Sequence, residues 1–159
     1  MDPSNGKFNL YRFQLRLFPA LLVWALGSIA AGIVWLRNDD GQVRGYGSQF
    51  AGWGAINLLL ALFGMNSAWR NQTRLKQGEI STAQHAVQAQ KFERLVLVNA
   101  GLDVGYIAAG AWLASTPIDK PQKQPGLRRG MGWGILCQGA FLLGWDLLLA
   151  LLVHQRRKA

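Results

Sequence analysis

Long apolar runs alternate with short polar breaks along this chain. Apolar residues dominate about 18–36, 48–69, 95–116 and 132–154. Crossing a bilayer takes about 20 mostly apolar residues, at a helical rise of about 1.5 Å each. The four runs therefore predict four spanning helices. The expected fold is all-α: an integral membrane four-helix bundle, one transmembrane domain over 1–159.

The breaks differ in kind. Residues 1–17 interleave Lys7, Arg12 and Arg16 with Phe8, Leu10, Tyr11 and Phe13, which predicts a lead-in lying on the headgroups. Pro19 suits the first turn of the helix that follows, where its missing N–H is not needed. Residues 37–41 form a polar turn and 70–78 a basic link. Residues 81–94 are polar but hold no Gly or Pro and are rich in Ala and Gln, which favours helix. Ser81 and Gln84 have the spacing of a capping box. One helix from 81 to 115 is expected, its cytoplasmic extension 81–94 projecting about 20 Å beyond the membrane. A polar helix packed on nothing is marginal, so the extension needs a docking partner, either headgroups or a soluble protein. Residues 116–124 contain Pro117 and Pro121 and read as a loop.

The two halves resemble each other. GSIAAGIVWL from Gly27 matches GYIAAGAWL from Gly105, each late in the first helix of a hairpin. Each is followed by an RGxG box: Arg44, Gly45 and Gly47 in one half, Arg129, Gly130 and Gly132 in the other. Gly54-Ala55 and Gly139-Ala140 then fall at equal distances after the boxes. Both hairpins start on the same side, so two tandem, parallel helical-hairpin repeats are expected, at 18–70 and 95–157. The boxes sit where a loop enters a helix, and their glycines suit a tight entry turn. Gly27, Gly32, Gly101, Gly105, Gly110 and Gly139 read as helix-packing positions, because small residues let membrane helices approach closely. The stretch RGMGWGILCQGAFLLGWD, residues 129–146, resembles the last-helix motif of an uncharacterised family of small bacterial four-span membrane proteins. That resemblance implies a bacterial membrane protein and carries no activity.

Charge sets the orientation. The formal net charge is +9, and the basic residues flank the apolar runs rather than forming a soluble face. That pattern fits anchoring to anionic headgroups and not nucleic acid. The N-terminus, the 70–94 stretch and the C-terminal tail carry eleven Lys or Arg, and the opposite loops carry six. The positive-inside rule then puts both termini in the cytoplasm, and the resemblance implies that the membrane is the bacterial inner one. The single cysteine, Cys137, lies in an apolar run and reads as a small buried hydrophobe.

Chemistry is sparse. The chain has no HExxH, GxSxG or CxxC motif, and His85 and His154 read as solvated or interfacial. No cofactor is expected, although a bound lipid or pigment is compatible with the composition. The one pointed signal is polar residues within the spans: Asn99, Asp103, Tyr106, Gln138 and Asp146. Asp103 and Asp146 are expected at similar depth, about 12 Å in, facing the interior, with no Lys or Arg in the spans to pair with them. Acids at that depth are costly and mark sites or interhelical hydrogen bonds. As hydrogen-bonding glue they would partner Asn99, Gln138 or a backbone carbonyl. In the repeat they correspond to Ala25 and Ala61, so they belong to the second hairpin only. Two functions follow. The first is an accessory, assembly or interaction subunit of a membrane complex, partnered by the bilayer and by other subunits or its own copies. The second is a proton-coupled carrier or small-ligand-binding protein using the two acids. No enzyme is expected, since no nucleophile pairs with a base.

Overall fold

The computed structural model describes residues 8–115 and 126–158. The expected loop at 116–124 and the first seven residues of the lead-in lie outside the described residues. Four helices follow in order: α1 Leu10–Leu36, α2 Gly41–Lys76, α3 Thr82–Ser115 and α4 Leu127–Lys158. Each is long and apolar enough to cross a membrane. The closely packed pairs are α1 with α2, α3 with α4, and α2 with α4. The helices therefore form two hairpins joined along their second members, with α1 and α3 outside.

Local chemistry sets the helix ends. Asn9 caps α1 by accepting from the Arg12 N–H at 3.0 Å, and Asp40 caps α2 by accepting from the Gln42 N–H at 2.6 Å. The α2–α3 turn uses Gly78 at φ +78°, a left-handed conformation that lets the Glu79 N–H close on the Arg74 carbonyl at 3.0 Å. The capping box at the head of α3 is reciprocal: the Ser81 N–H donates to Gln84 Oε1 at 2.9 Å, and the Gln84 N–H to Ser81 Oγ at 3.2 Å. From there α3 runs unbroken through Ser115, as its lack of Gly and Pro up to Ala100 predicts.

The beginning of the chain departs from expectation. Residues 10–17 are the first turns of α1, continuous with the span rather than a separate lead-in. Leu10, Tyr11 and Phe13 are buried, packed with Ile80, Ala89, Val96, Leu149, Ala150 and Val153 in the main core cluster. Pro19 consequently falls in the interior of α1 rather than in its first turn. Membrane helices tolerate this because neighbouring groups re-satisfy the freed carbonyl.

The extension of α3 finds its docking partner within the chain. The Leu10 N–H donates to His85 Nε2 at 3.2 Å, and the Tyr11 hydroxyl donates to Gln88 Oε1. Glu93 joins His154 at 2.7 Å and also pairs with Arg157. His85 thus ties α3 to α1, and His154, 49% exposed as a solvated or interfacial group would be, ties α4 to α3. The Glu93 side chain is only 13% exposed. Burial alone would push its carboxyl up, but His154 and Arg157 outweigh that and hold it below the ordinary carboxylate range.

The glycines separate into two groups. The RGxG boxes lie inside the first turns of α2 and α4, not in a loop, and their glycines have no positive φ. They serve close approach instead. A side chain on Gly45 would strike the backbone of Leu127 and Met131, and one on Gly130 would strike Gln42, so the two boxes cross each other at the α2–α4 contact. Gly47 faces Gly32 and Leu36 of α1, just as Gly132 faces Gly110 and Ala114 of α3. Gly54 rests on Ile29 and the Ala25 carbonyl; Gly139 rests on Ile107 and the Asp103 carbonyl. Gly27, Gly101 and Gly105, also expected at packing positions, have nothing within 4 Å of where a Cβ would stand and face outward. Cys137 is likewise exposed, not buried.

Candidate functional site

A cavity of about 480 Å³ opens among the four helices and reaches the surface between α2 and α3, a pair that is not closely packed. Its position follows from the glycines. Gly139 lets α4 approach α3, with the site of a Cβ 3.5 Å from the Ile107 nitrogen and 3.6 Å from the Asp103 carbonyl. This brings the next turns of both helices, with their acids, into one interior. On the open side stand Leu60 and Phe63 of α2 and Leu95 and Leu102 of α3, all exposed.

The wall is mostly apolar and aromatic, with Phe18, Trp53, Phe63, Phe92, Tyr106 and Trp145 among its residues. Six polar side chains other than Tyr106 line it: Gln14, Asn57, Ser67, Asn99, Asp103 and Asp146. Asp103 is 4% exposed and Asp146 8%, so both carboxyls face the interior, and both line this one cavity. No Lys or Arg lines the cavity among the described residues.

The polar groups are not satisfied from within. Asn57 is 1% exposed, yet neither its amide nitrogen nor its amide oxygen has a hydrogen-bond partner, and the same is true of Asp103 Oδ2. Buried polar atoms are nearly always paired, and each unpaired one costs about 1–3 kcal/mol. Three such atoms on one cavity form a concentrated cost.

Of the five polar residues singled out in the spans, the structure brings Asn99, Asp103, Tyr106 and Asp146 to this cavity and leaves Gln138 elsewhere. Gln138 faces α1, accepting from Trp24 Nε1 at 3.1 Å and donating to Ser28 Oγ at 3.2 Å. The acids are therefore not glued to Gln138. Tyr106 sits at the mouth, 41% exposed, its ring 5.0 Å from that of Trp53. Asn57 is the member that sequence reasoning did not assign to the site. Its signal was an amide inside an apolar span, with nothing in the spacing to relate it to α3.

The Trp53–Tyr106 contact joins α2 to α3, and the Gln138–Ser28 contact joins α4 to α1. On the α1–α4 side the rings of Trp24 and Phe141 stack 3.8 Å apart and border a separate opening of about 400 Å³.

No curated protein and no solved structure matches this chain. From residue 20 to residue 147, a stretch that takes in all of α2 and α3 and most of α1 and α4, the chain matches the model of a family of unknown function, DUF6992, and it belongs to that family.

Proposed function

We propose that this chain is a multi-pass protein of the bacterial cytoplasmic membrane, with both termini in the cytoplasm, that binds a small, largely apolar ligand carrying a cationic, hydrogen-bond-donating group. The observation that carries this reading is the buried, unpartnered Asn57 amide and Asp103 carboxyl oxygen on one aromatic-walled cavity. A cationic donor would satisfy the acids, and the ring faces of Trp53 and Trp145 would favour it further. The apolar wall would take the rest of the ligand. Such acids also suit coupling of proton movement to ligand movement. Duplication of a hairpin is supported by the like contacts of Gly54 and Gly139. Ala25 and Ala61, which stand where the second hairpin has Asp103 and Asp146, are both 0% exposed, so the site is an addition to one half.

Equilibrium dialysis of dibenzylamine, an apolar amine whose protonated form donates two N–H bonds, against the protein in lipid nanodiscs tests the reading. Saturable binding is expected, weakened at least about tenfold by Asp103→Asn with Asp146→Asn, a loss of about 1.4 kcal/mol. Equal binding by the double variant would remove the acids from the site.

A second reading, an accessory subunit, draws on one observation. Gly101, Gly105 and Ala109 form an outward face of α3 with open space over both glycines, a surface that a helix of another subunit fits. Stable co-purification of a membrane subunit, lost on Gly105→Leu, would favour this reading.

A further inference from the structure

We propose that the end of the bundle where α1 begins and α4 ends is a binding site for the phosphate headgroup of an anionic phospholipid. An open cavity of about 860 Å³ lies there, built from three helices: the first turns of α1, the head of α3 and the tail of α4. Five cations border it: Arg12, Arg16, Arg156, Arg157 and Lys158. No described acid lines the groove; Glu93 beside it takes up Arg157, and the lining keeps a positive excess.

The arrangement is more specific than a basic collar. Arg156 stacks over the Phe13 ring at 5.3 Å, and Phe13 is itself buried, which holds that guanidinium at the groove wall. The head of α3 opens into the same groove through Thr82, adding the positive end of a 34-residue helix. The depth is also right. Arg16 precedes the first apolar run by one residue, and Arg156–Lys158 follow the last, so the cations stand at headgroup level with apolar helix faces just beyond for acyl chains. A phosphodiester with no ammonium of its own matches this charge. A phosphatidylcholine headgroup brings a cation into a cationic groove. The site is separate from the α2–α3 cavity and does not depend on its occupant.

Native mass spectrometry of the full chain in mild detergent, with phosphatidylglycerol, phosphatidylcholine and inorganic phosphate as probes, tests this. Phosphatidylglycerol is expected to bind at least about tenfold more tightly than phosphatidylcholine. Arg12→Gln with Arg156→Gln should remove that preference without lowering the thermal midpoint by more than a few degrees. Arg37→Gln with Arg44→Gln, an equal loss of charge at the other end, should leave it intact. Equal binding of the two lipids, or equal effects of the two double variants, would reduce the groove to diffuse charge and overturn the proposal. Inorganic phosphate displacing the lipid at micromolar concentration would overturn the lipid source and make this a soluble-phosphate site. Should the first double variant not fold, the lipid preference of the wild type and of the Arg37/Arg44 variant decides.

Discussion

Gly130 of α4 lies so close to Gln42 of α2 that a Cβ on the glycine would collide with the Gln42 carbonyl. Gly45 of α2 meets Leu127 and Met131 in return. At this reciprocal crossing, backbone rather than a flexible side chain forms the wall.

The first prediction follows from that wall. Gly130→Val should destabilise the protein by about 1–3 kcal/mol or more, because neither backbone can yield locally. Gly105→Ala should be neutral or stabilising by about 0.5–1 kcal/mol, since nothing stands near it and alanine is the better helix former. Thermal unfolding in detergent compares the two. A tolerated Gly130→Val would mean the helices do not cross there.

Gln138 makes the second. Replacing it by Leu keeps the volume and strands Trp24 Nε1 and Ser28 Oγ, each bonded to it. A loss of about 1–3 kcal/mol is expected. Adding Trp24→Phe and Ser28→Ala should recover much of it. If the triple variant is no more stable than Gln138→Leu alone, the network is not what holds α1 to α4.

The third concerns Asp103. As interhelical glue, its replacement by Leu would strand a partner and harm folding. Its Oδ2 has no partner to strand, so Asp103→Leu should instead raise the unfolding midpoint while abolishing cation binding. Asp103→Asn should leave stability nearly unchanged. A marked drop in midpoint for Asp103→Leu would restore the glue role.

Acid should loosen one end of the bundle first. Burial holds the His85 imidazole below its ordinary value of 6.5, where its Nε2 accepts from Leu10. Glu93 is held below its ordinary 4.5. Each group binds fewer protons folded than unfolded. Its stabilising contribution is therefore complete above the ordinary value and is lost as pH falls through the folded one. Hydrogen exchange of residues 10–16 and 82–94 should accelerate as pH drops from 7 to 4, after correction for the intrinsic rate, while the interior of α2 stays protected. His85→Gln, an uncharged acceptor, should blunt the early part of the change. Uniform behaviour along the chain would contradict this.

The apolar runs made the four helices legible, and the composition of 81–94 made the continuity of α3 legible, because both depend on local properties. The interior placement of Asp103 and Asp146 follows from the cost of an acid in hydrocarbon, which any arrangement must respect. What stayed hidden depends on which face of a helix meets which neighbour. Gly105 and Gly110 look alike in an apolar span, yet one faces outward and the other meets the backbone of Gly132. The charges Arg12 and Arg16 masked the burial of Tyr11, since its cover comes from α3, some seventy residues away in sequence. Asn57 joined the cavity through the α2–α4 contact, which no spacing within one helix encodes.

The gap between α2 and α3 has a consequence for measurement. Leu60, Phe63, Leu95 and Leu102 line it and are each about half exposed or more, so a guest bound as proposed would have an apolar way in from the hydrocarbon as well as one from water. Occupancy would then track the guest's mole fraction in the lipid. Two compounds with equal intrinsic fit would differ in apparent potency by the ratio of their partition coefficients. Titrations should therefore be repeated at several lipid-to-protein ratios, with concentrations expressed per mole of lipid.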